Sequence, residues 1–284
     1  MSRPSKGLLS VGAAALVAAG AAVAVPAAAA PNPSAGAVTT HVGQTHQEKP
    51  TVVLVHGALA DSSSWNGVIK RLTHDGYPVR AVANPLRGLP TDAAAAKDVL
   101  RSIDGPIVLV GHSCGGAVAT EAAAGNPDVK ALVYLAALVP DKGEPASGPS
   151  DIPVEHPLPP LPGAQVTTVA ADGTKSVDTC IKQEQFAKRF AACVDPVTAA
   201  AMAVTQRPLD ARANQSTTTA AAWHDIPSYY LTAAKDQIIE PEKERCFAKP
   251  AKAHAEEIHS SHAVMVSHPG AVTRLIEEAA RENG

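Results

Sequence analysis

The chain has 284 residues, of which 18% are charged, and a formal net charge of −3. This length suits one large α/β domain with an insertion and is hardly enough for two ordinary domains. The basic residues are scattered along the chain, so no cationic patch indicates nucleic acid as a partner. These properties favour a single domain that acts on a small molecule.

The N-terminus has the order of segments that is typical of a secretory signal peptide. Arg3 and Lys6 precede an apolar run from Leu8 to Val25, and small residues follow. A membrane anchor is the alternative, because about 18 apolar residues can span a bilayer, but the alanine content makes this run a poor anchor. We therefore predict a signal peptide over residues 1–30, a flexible lead-in over residues 31–50, and a secreted protein without a stable membrane anchor.

Strands and helices alternate from residue 51 onwards. The predicted order is strand 51–56, helix 62–75, strand 77–83, a helix that Thr91 caps and that ends near Ile103, strand 107–110, an alanine-rich helix, and strand 129–139. Such alternation implies right-handed crossovers and a mostly parallel sheet of about six strands flanked by helices.

The motif Gly-His-Ser-Cys-Gly at 111–115 lies between an apolar strand and the alanine-rich helix. A serine in such a corner has strained backbone, and a Cβ at Gly111 or Gly115 would collide with neighbouring elements. This context predicts that Ser113 is a nucleophile and that the Cys114 N–H, at the start of the helix, is an oxyanion donor. The alternative is a glycine-rich turn with a merely solvated serine.

A His-Gly turn ends the first strand at 56–57. It lets the backbone approach a ligand closely, which makes the N–H of Ala58 a candidate for the second oxyanion donor. The alternative is that His56 and Gly57 only shape the turn.

The alternation of strands and helices breaks between residues 140 and 223. Seven prolines between Pro145 and Pro162 exclude a long helix or a central strand there. A hairpin is predicted over 166–169 and 174–177, followed by helices over 180–194 and from Asp195-Pro196. An insertion of this length, about 141–223 within the domain 51–284, is typical of a lid over an active site.

The four cysteines of an exported chain can form disulfides. Cys180 and Cys193 lie in one segment and are the candidate disulfide, which would stiffen the lid. For Cys114 and Cys246, free core thiols are favoured over a second bridge.

A serine nucleophile needs a base and an acid, and in this fold class they follow in the order serine, acid, histidine. Strand 228–233 precedes Asp236, and strand 255–258 precedes His262. Both residues fall in loops after strand ends, where ligands bind in parallel sheets. Asp236 is therefore the predicted acid and His262 the predicted base.

Other residues are also candidates for these two roles. Asp141 is the second candidate for the acid, and Asp236 could also serve only to cap a helix. His254, His259 and His268 are less well placed than His262 for the base. Because none of these histidines forms an H-E-x-x-H pair and no dinucleotide fingerprint is present, we predict neither a metal nor a cofactor.

A set of short motifs spans residues 51–280. They are Val55-His-Gly-Ala58, Ser64-Trp65, Val110-Gly-His-Ser-Cys-Gly-Gly116, Val133-Tyr-Leu-Ala-Ala137 with Pro140-Asp141, Gln206-Arg-Pro208, Asp236 and Ser261-His-Ala-Val-Met265. Together they resemble the α/β-hydrolases, in particular the small lidded esterases similar to plant salicylate methylesterases and hydroxynitrile lyases. The resemblance implies a cofactor-free triad of Ser113, His262 and Asp236, with the N–H groups of Ala58 and Cys114 as the oxyanion hole.

Two positions depart from the pattern of the lyases in that branch. In the pattern that the lyases resemble, threonine follows the first histidine and lysine follows the catalytic histidine. This chain has Gly57 and Ala263 at those positions. This favours ester hydrolysis, and the long insertion favours small substrates. We therefore expect a serine carboxylesterase that acts on small esters through an acyl-enzyme. The alternatives are a cofactor-free lyase or perhydrolase, a secreted lipase or polyesterase, and a non-catalytic ligand-binding homologue.

Overall fold

The computed structural model describes residues 48–169 and 171–284. The predicted signal peptide lies outside the described residues, as does the predicted lead-in up to residue 47. None of the helices in the described ranges combines the length and the apolar character that crossing a bilayer requires.

The described residues contain a six-stranded sheet and a smaller three-stranded one. The strands are β1 (Thr51–Val55), β2 (Val79–Val82), β3 (Ile107–His112), β4 (Val129–Leu135), β5 (Gly163–Val169), β6 (Lys175–Ile181), β7 (Leu209–Asp210), β8 (Ser228–Ala233) and β9 (His254–Ile258). The large sheet has the order β2-β1-β3-β4-β8-β9, and every neighbouring pair is parallel. The predicted sheet of six strands is thereby confirmed, with the serine strand β3 inside it.

Helices cover both faces of the large sheet. The α-helices of the described residues are α1 (Asn66–His74), α2 (Leu89–Arg101), α3 (Gly115–Ala123), α4 (Gln183–Arg189), α5 (Pro196–Val204), α6 (Pro241–Ala248), α7 (Val264–Ser267) and α8 (Pro269–Asn283), of which α4 and α5 belong to the insertion. Alternate residues of β1 show the two layers. Val52 and Leu54 pack with α1 and α8, whereas Val53 and Val55 pack with α2 and α3. The sheet is therefore buried on both sides, as its continuous apolar strands require.

The predicted start of α2 was wrong by three residues. The helix begins at Leu89 rather than after a cap at Thr91, and Gly88 enters it with a φ of 131°. The buried Asp92 side chain accepts the N–H of Arg87 at 2.9 Å. This bond stabilises the turn that precedes the helix. Thr91 lies inside the first turn of the helix and does not cap it.

The insertion between β4 and β8 has its own small sheet. β5 and β6 form the predicted hairpin, which is longer than expected, and β7 pairs with β6. Helices α4 and α5 bury a third apolar cluster that includes Phe186, Phe190 and Ile181. Because β4 and β8 are neighbours in the large sheet, the insertion leaves and re-enters it at adjacent positions.

The predicted Cys180–Cys193 disulfide was wrong, since all four cysteines carry free thiols. Cys180 was expected to begin a helix, but it lies in β6 opposite Ala164 of β5. Cys193 follows α4 and donates its backbone N–H to Ser261 Oγ at 3.1 Å. The strand that extends through Ile181 thus ties Cys180 to the hairpin, while Cys193 is tied to the loop of the predicted catalytic histidine.

Candidate active site

The predicted nucleophile Ser113 occupies a strained turn between β3 and α3. Its φ is +55°, in the left-handed region that costs a residue with a side chain free energy. A Cβ on Gly111 would lie 2.5 Å from the carbonyl oxygen of Gly115, so only glycine allows the strand and the helix to approach this closely. The turn around Ser113 is therefore strained and depends on glycine at position 111, as the motif predicted.

The predicted acid and base form a fully buried pair. His262 Nδ1 donates to Asp236 Oδ2 at 2.5 Å, and neither side chain is exposed to solvent. Asp236 Oδ1 accepts the N–H groups of Ile238 at 2.6 Å and Ile239 at 3.1 Å. These bonds fix the carboxylate and set the imidazole tautomer, leaving Nε2 of the neutral ring as the proton acceptor.

Ser113 and His262 line one cavity of about 240 Å³. His262 Nε2 is buried and has no hydrogen-bond partner among the described residues. The wall of this cavity is mostly apolar, with residues from the sheet loops and from the insertion: Ala58, Leu59, Leu138, Leu161, Phe190, Leu209, Ile238 and Ile239. The structure thus brings the three predicted side chains to one small, largely apolar site.

The alternative candidates lie elsewhere. Asp141 pairs with His224 at 2.9 Å on the rim of a larger open groove of about 690 Å³ that no triad residue lines. His268 contacts Ser267, and His259 is exposed. His254 groups with Glu256 and Glu278 at the edge strand, where three ligand atoms lie within 4.8 Å of one another. His254 pairs with Glu278 at 3.4 Å, and Arg274 pairs with Glu256 at 2.9 Å.

The two predicted oxyanion donors are joined by a hydrogen bond through the Cys114 side chain. The N–H of Ala58 donates to Cys114 Sγ at 3.2 Å. Burial raises the pKa of this thiol to about 12, so the sulfur is a neutral, weak acceptor. The Cys114 N–H lies at the start of α3, where backbone donors have no intrahelical partner. A substrate oxygen that binds both N–H groups would replace the sulfur at Ala58.

Sequence reasoning missed the residue that holds the loop of Ala58. Asn84 donates its backbone N–H to His56 Nε2 at 3.1 Å and its side-chain amide to the His56 carbonyl at 3.0 Å. His56 Nδ1 is then the protonated nitrogen and donates to Gly57 O at 2.9 Å. Burial lowers the pKa of His56, which keeps the ring neutral. The Asn-Pro pair at 84–85 was visible in the sequence only as a loop signal.

His112 was also missed, although it stands beside the nucleophile in the motif. Its Nε2 is 3.0 Å from the backbone carbonyl oxygen of His262 and donates to it, and its Nδ1 has no partner among the described residues. Burial, aided by the neighbouring His262, lowers the pKa of His112 well below its usual value. A neutral His112 therefore supports the backbone of the predicted base.

The insertion reaches this site through Arg189 at the end of α4. The buried guanidinium donates to the carbonyl oxygens of Pro159 at 2.8 Å and Gln237 at 2.9 Å. Gln237 follows the predicted acid, and Pro159 belongs to the proline-rich segment 153–162 of the insertion. Glu240 Oε1 accepts the N–H of Leu158 at 3.3 Å. The proline-rich segment is therefore fastened to the loop that carries Asp236.

The model of the alpha/beta hydrolase family matches residues 52–275 of this chain. The chain therefore belongs to the alpha/beta hydrolase family. A curated relative, the alpha/beta hydrolase nvfD of Aspergillus novofumigatus (strain IBT 16806), is 26% identical over 256 residues, which cover 82% of this chain and 98% of the relative.

Solved structures confirm the fold over the same range. Polyneuridine aldehyde esterase superposes with a TM-score of 0.66 at 18% identity, covering 81% of this chain and 98% of its own. The methylesterase MES16 from Arabidopsis gives a TM-score of 0.67 at 17% identity, covering 82% of this chain and 99% of its own. The chain is thus an α/β-hydrolase with esterase-like structural neighbours, as the motifs indicated.

Proposed function

We propose that this protein is a serine carboxylesterase that hydrolyses small apolar esters through an acyl-enzyme. The observation that carries the proposal is the buried Asp236–His262 hydrogen bond beside a cavity that Ser113 also lines. A pre-oriented imidazole with an unpartnered Nε2 is what a serine hydroxyl requires to become a nucleophile.

The proposed reaction is acyl transfer in two halves. Ser113 Oγ attacks the ester carbonyl carbon and His262 Nε2 takes its proton, while Asp236 stabilises the imidazolium. The oxyanion accepts hydrogen bonds from the N–H groups of Cys114 and Ala58, and each bond lowers the activation free energy by roughly 3 kcal/mol. His262 then protonates the leaving alcohol. Water repeats the sequence on the acyl-enzyme, which releases the acid and restores the serine.

The cavity supports the proposed substrate size. Its volume of about 240 Å³ is below the 300–1,000 Å³ of ordinary ligand sites. The charged side chains of the wall are Glu240 and Lys243, which pair with each other at 3.1 Å. Such a site favours a compact, uncharged ester over a long acyl chain or a polymer.

The lack of space beside Gly57 favours ester hydrolysis over the lyase alternative. The lyase-like pattern has threonine at the position of Gly57, and a Cβ there would lie 2.5 Å from Ser113 Cβ and 3.1 Å from Ser113 Oγ. The serine of this chain therefore leaves no room for that side chain. The names of the neighbours polyneuridine aldehyde esterase and methylesterase MES16 agree with ester chemistry.

The test is covalent labelling with a fluorophosphonate, followed by turnover of p-nitrophenyl esters of graded acyl length. We expect one adduct on Ser113 and the highest kcat/KM for short acyl groups. Ser113→Ala should abolish both signals, whereas Ser147→Ala, on the wall of the same cavity, should keep them. The proposal would be overturned if neither wild type nor Ser147→Ala were labelled, or if Ser113→Ala kept full turnover.

We further propose that the protein is exported after removal of residues 1–30 or a slightly shorter segment. The order of basic, apolar and small segments supports this. N-terminal sequencing of protein recovered from culture medium should begin within 28–31. Intact protein that retains Met1 inside the cells would contradict it.

A further inference from the structure

A second carboxyl group lies behind the predicted acid. Glu244, on α6, is 0% exposed, and α6 packs against β8. Glu244 Oε2 accepts the backbone N–H of Ala233 at 2.9 Å. Its other oxygen, Oε1, is buried and accepts no hydrogen bond from the described residues. The reaction proposed above makes no use of this group.

The contact of Glu244 leads directly to the turn that carries Asp236. Ala233, the last residue of β8, donates to Glu244 and accepts the N–H of Asp236 at 3.0 Å through its carbonyl oxygen. One residue therefore joins the two carboxyl groups. Loss of the Glu244 contact would leave a buried N–H without an acceptor at the base of this turn.

The charged and titratable groups around Glu244 compensate a negative charge on it only in part, through Arg245. From the turn, the Asp236 carboxylate acts on it with the same sign. From β8, Tyr230 is a neutral phenol whose hydroxyl donates to Ala137 O at 2.6 Å. On α6 itself, Arg245 is engaged by Glu257 through bonds of 2.7 and 3.0 Å.

Burial and the neighbouring Asp236 carboxyl group both raise the proton affinity of this side chain. Burial is the larger cause, and the charge of Asp236 adds to it, so the pKa of Glu244 is raised well above its usual value. A hydrogen bond between the two carboxyl groups raises the pKa further, whereas the hydrogen bond from Ala233 and the charge of Arg245 oppose the shift without offsetting it. An ionised carboxylate with one unpaired buried oxygen would carry a large desolvation cost.

We propose that Glu244 is held in the folded protein as a neutral carboxylic acid and acts as a positioning residue for the Asp236 turn. Oε2 is its carbonyl oxygen and braces Ala233. Oε1, which no donor reaches, carries the proton and donates it in a hydrogen bond to the Asp236 carboxylate. Asp236 is then the single ionised carboxylate beside the imidazole, so the imidazolium formed in the reaction is stabilised by one negative charge and not by two.

The first test measures stability against pH and is independent of any catalysis. Glu in an unfolded chain ionises near pH 4.3. A group whose folded pKa is raised above that value loses stability as the pH rises from the unfolded to the folded pKa. Glu244→Gln keeps the acceptor for Ala233 and removes the ionisation. Relative to wild type, its folding equilibrium constant should therefore rise by up to about tenfold per pH unit above pH 4.3.

A matched control is available on the same helix. Glu242 is partly exposed and lies 3.5 Å from His156. Glu242→Gln, measured by urea unfolding over the same pH series, should show no such growing advantage. If the folding equilibrium constant of Glu244→Gln relative to wild type falls as the pH rises, Glu244 is ionised in the folded protein and the proposal is overturned.

The second test concerns positioning and rests on the proposed esterase function. Glu244→Gln should keep kcat and the midpoint of the pH–rate profile, whereas Glu244→Leu, which cannot accept from Ala233, should lose about tenfold in kcat. A midpoint displaced to lower pH in Glu244→Gln would mean that a negative charge was removed and would overturn the proposal. If wild type has no esterase activity, the esterase proposal fails alone, because the stability series still decides the protonation.

Discussion

Strands β3 and β5 have similar lengths but opposite surroundings. All six residues of β3 are buried, and helices cover both of its faces. Most of β5 is exposed, with Val166 and Val169 each 61% accessible, and backbone pairing with β6 is its main support. Burial of apolar side chains therefore determines the structure of the large sheet, whereas turn-forming residues and a few polar contacts determine that of the insertion. The candidate site lies where the two regions meet.

The largest effect should come from the sheet side of the site. Asp236→Asn preserves the shape of the acid but lets the imidazole adopt the wrong tautomer, so kcat for a p-nitrophenyl ester should fall by about 10⁴-fold. Asp141→Asn, at the outer groove, should stay near the wild-type rate. If Asp141→Asn lost as much activity as Asp236→Asn, the assignment of Asp236 as the catalytic acid would be overturned.

His112 should have the next largest effect, because it braces the base from within the sheet. His112→Phe keeps the ring but removes the Nε2 donor to the His262 carbonyl. Leaving this buried carbonyl unpaired should lower kcat by up to about 100-fold. His112→Gln carries an amide donor and should recover most of the rate. If Gln is no better than Phe, ring packing and not the hydrogen bond supports the base.

Arg189 tests the insertion side of the same site. Arg189→Met removes the donors to Pro159 and Gln237, so kcat/KM should fall by about tenfold, mainly through KM. Limited proteolysis should then cut within the proline-rich segment 153–162 faster than in wild type. Lys188→Met, one position earlier and exposed, is the control. Identical kinetics and cleavage in the two variants would show that the proline-rich segment needs no such fastening.

The smallest effect is expected at the outer hairpin. Val166→Ala should change the free energy of unfolding by less than about 0.5 kcal/mol, since the side chain is mostly exposed. Val110→Ala in β3 should cost about 2 kcal/mol, because a fully buried side chain is truncated. Urea unfolding of both variants measures the contrast directly. Equal losses would mean that the hairpin is covered in solution.

The parts of the fold that the sequence predicted well are those that local patterns determine. Continuous apolar runs marked β1, β3, β4 and β8, and the glycines around Ser113 marked the turn. Asp236 and His262 followed from chain order and strand ends. Local patterns also predicted the hairpin, because the Asp172-Gly173 dipeptide favours a tight turn and lies between two runs of residues that favour strands.

Apart from the start of α2, which a local bond between Arg87 and Asp92 determines, the errors and omissions involve contacts between residues distant in sequence. A helix beginning at Cys180 fitted local propensity, but pairing with Ala164 extends β6 through that position. Spacing alone suggested a bridge between Cys180 and Cys193, although their neighbours in space differ. Asn84, His112 and Glu244 act through backbone atoms that only the folded chain brings near them, so no sequence signal marked them.

The insertion leaves the large sheet after β4 and returns at β8, which pairs directly with β4 through Leu132 and Ser228. Its two ends are therefore already held together by sheet hydrogen bonds, and the entropy of closing a longer or shorter loop between them changes only slowly with length. A segment attached in this way can be lengthened, trimmed or exchanged for that of another α/β-hydrolase while the strand register remains intact. Substrate preference and chemical machinery can thus diverge separately in one polypeptide.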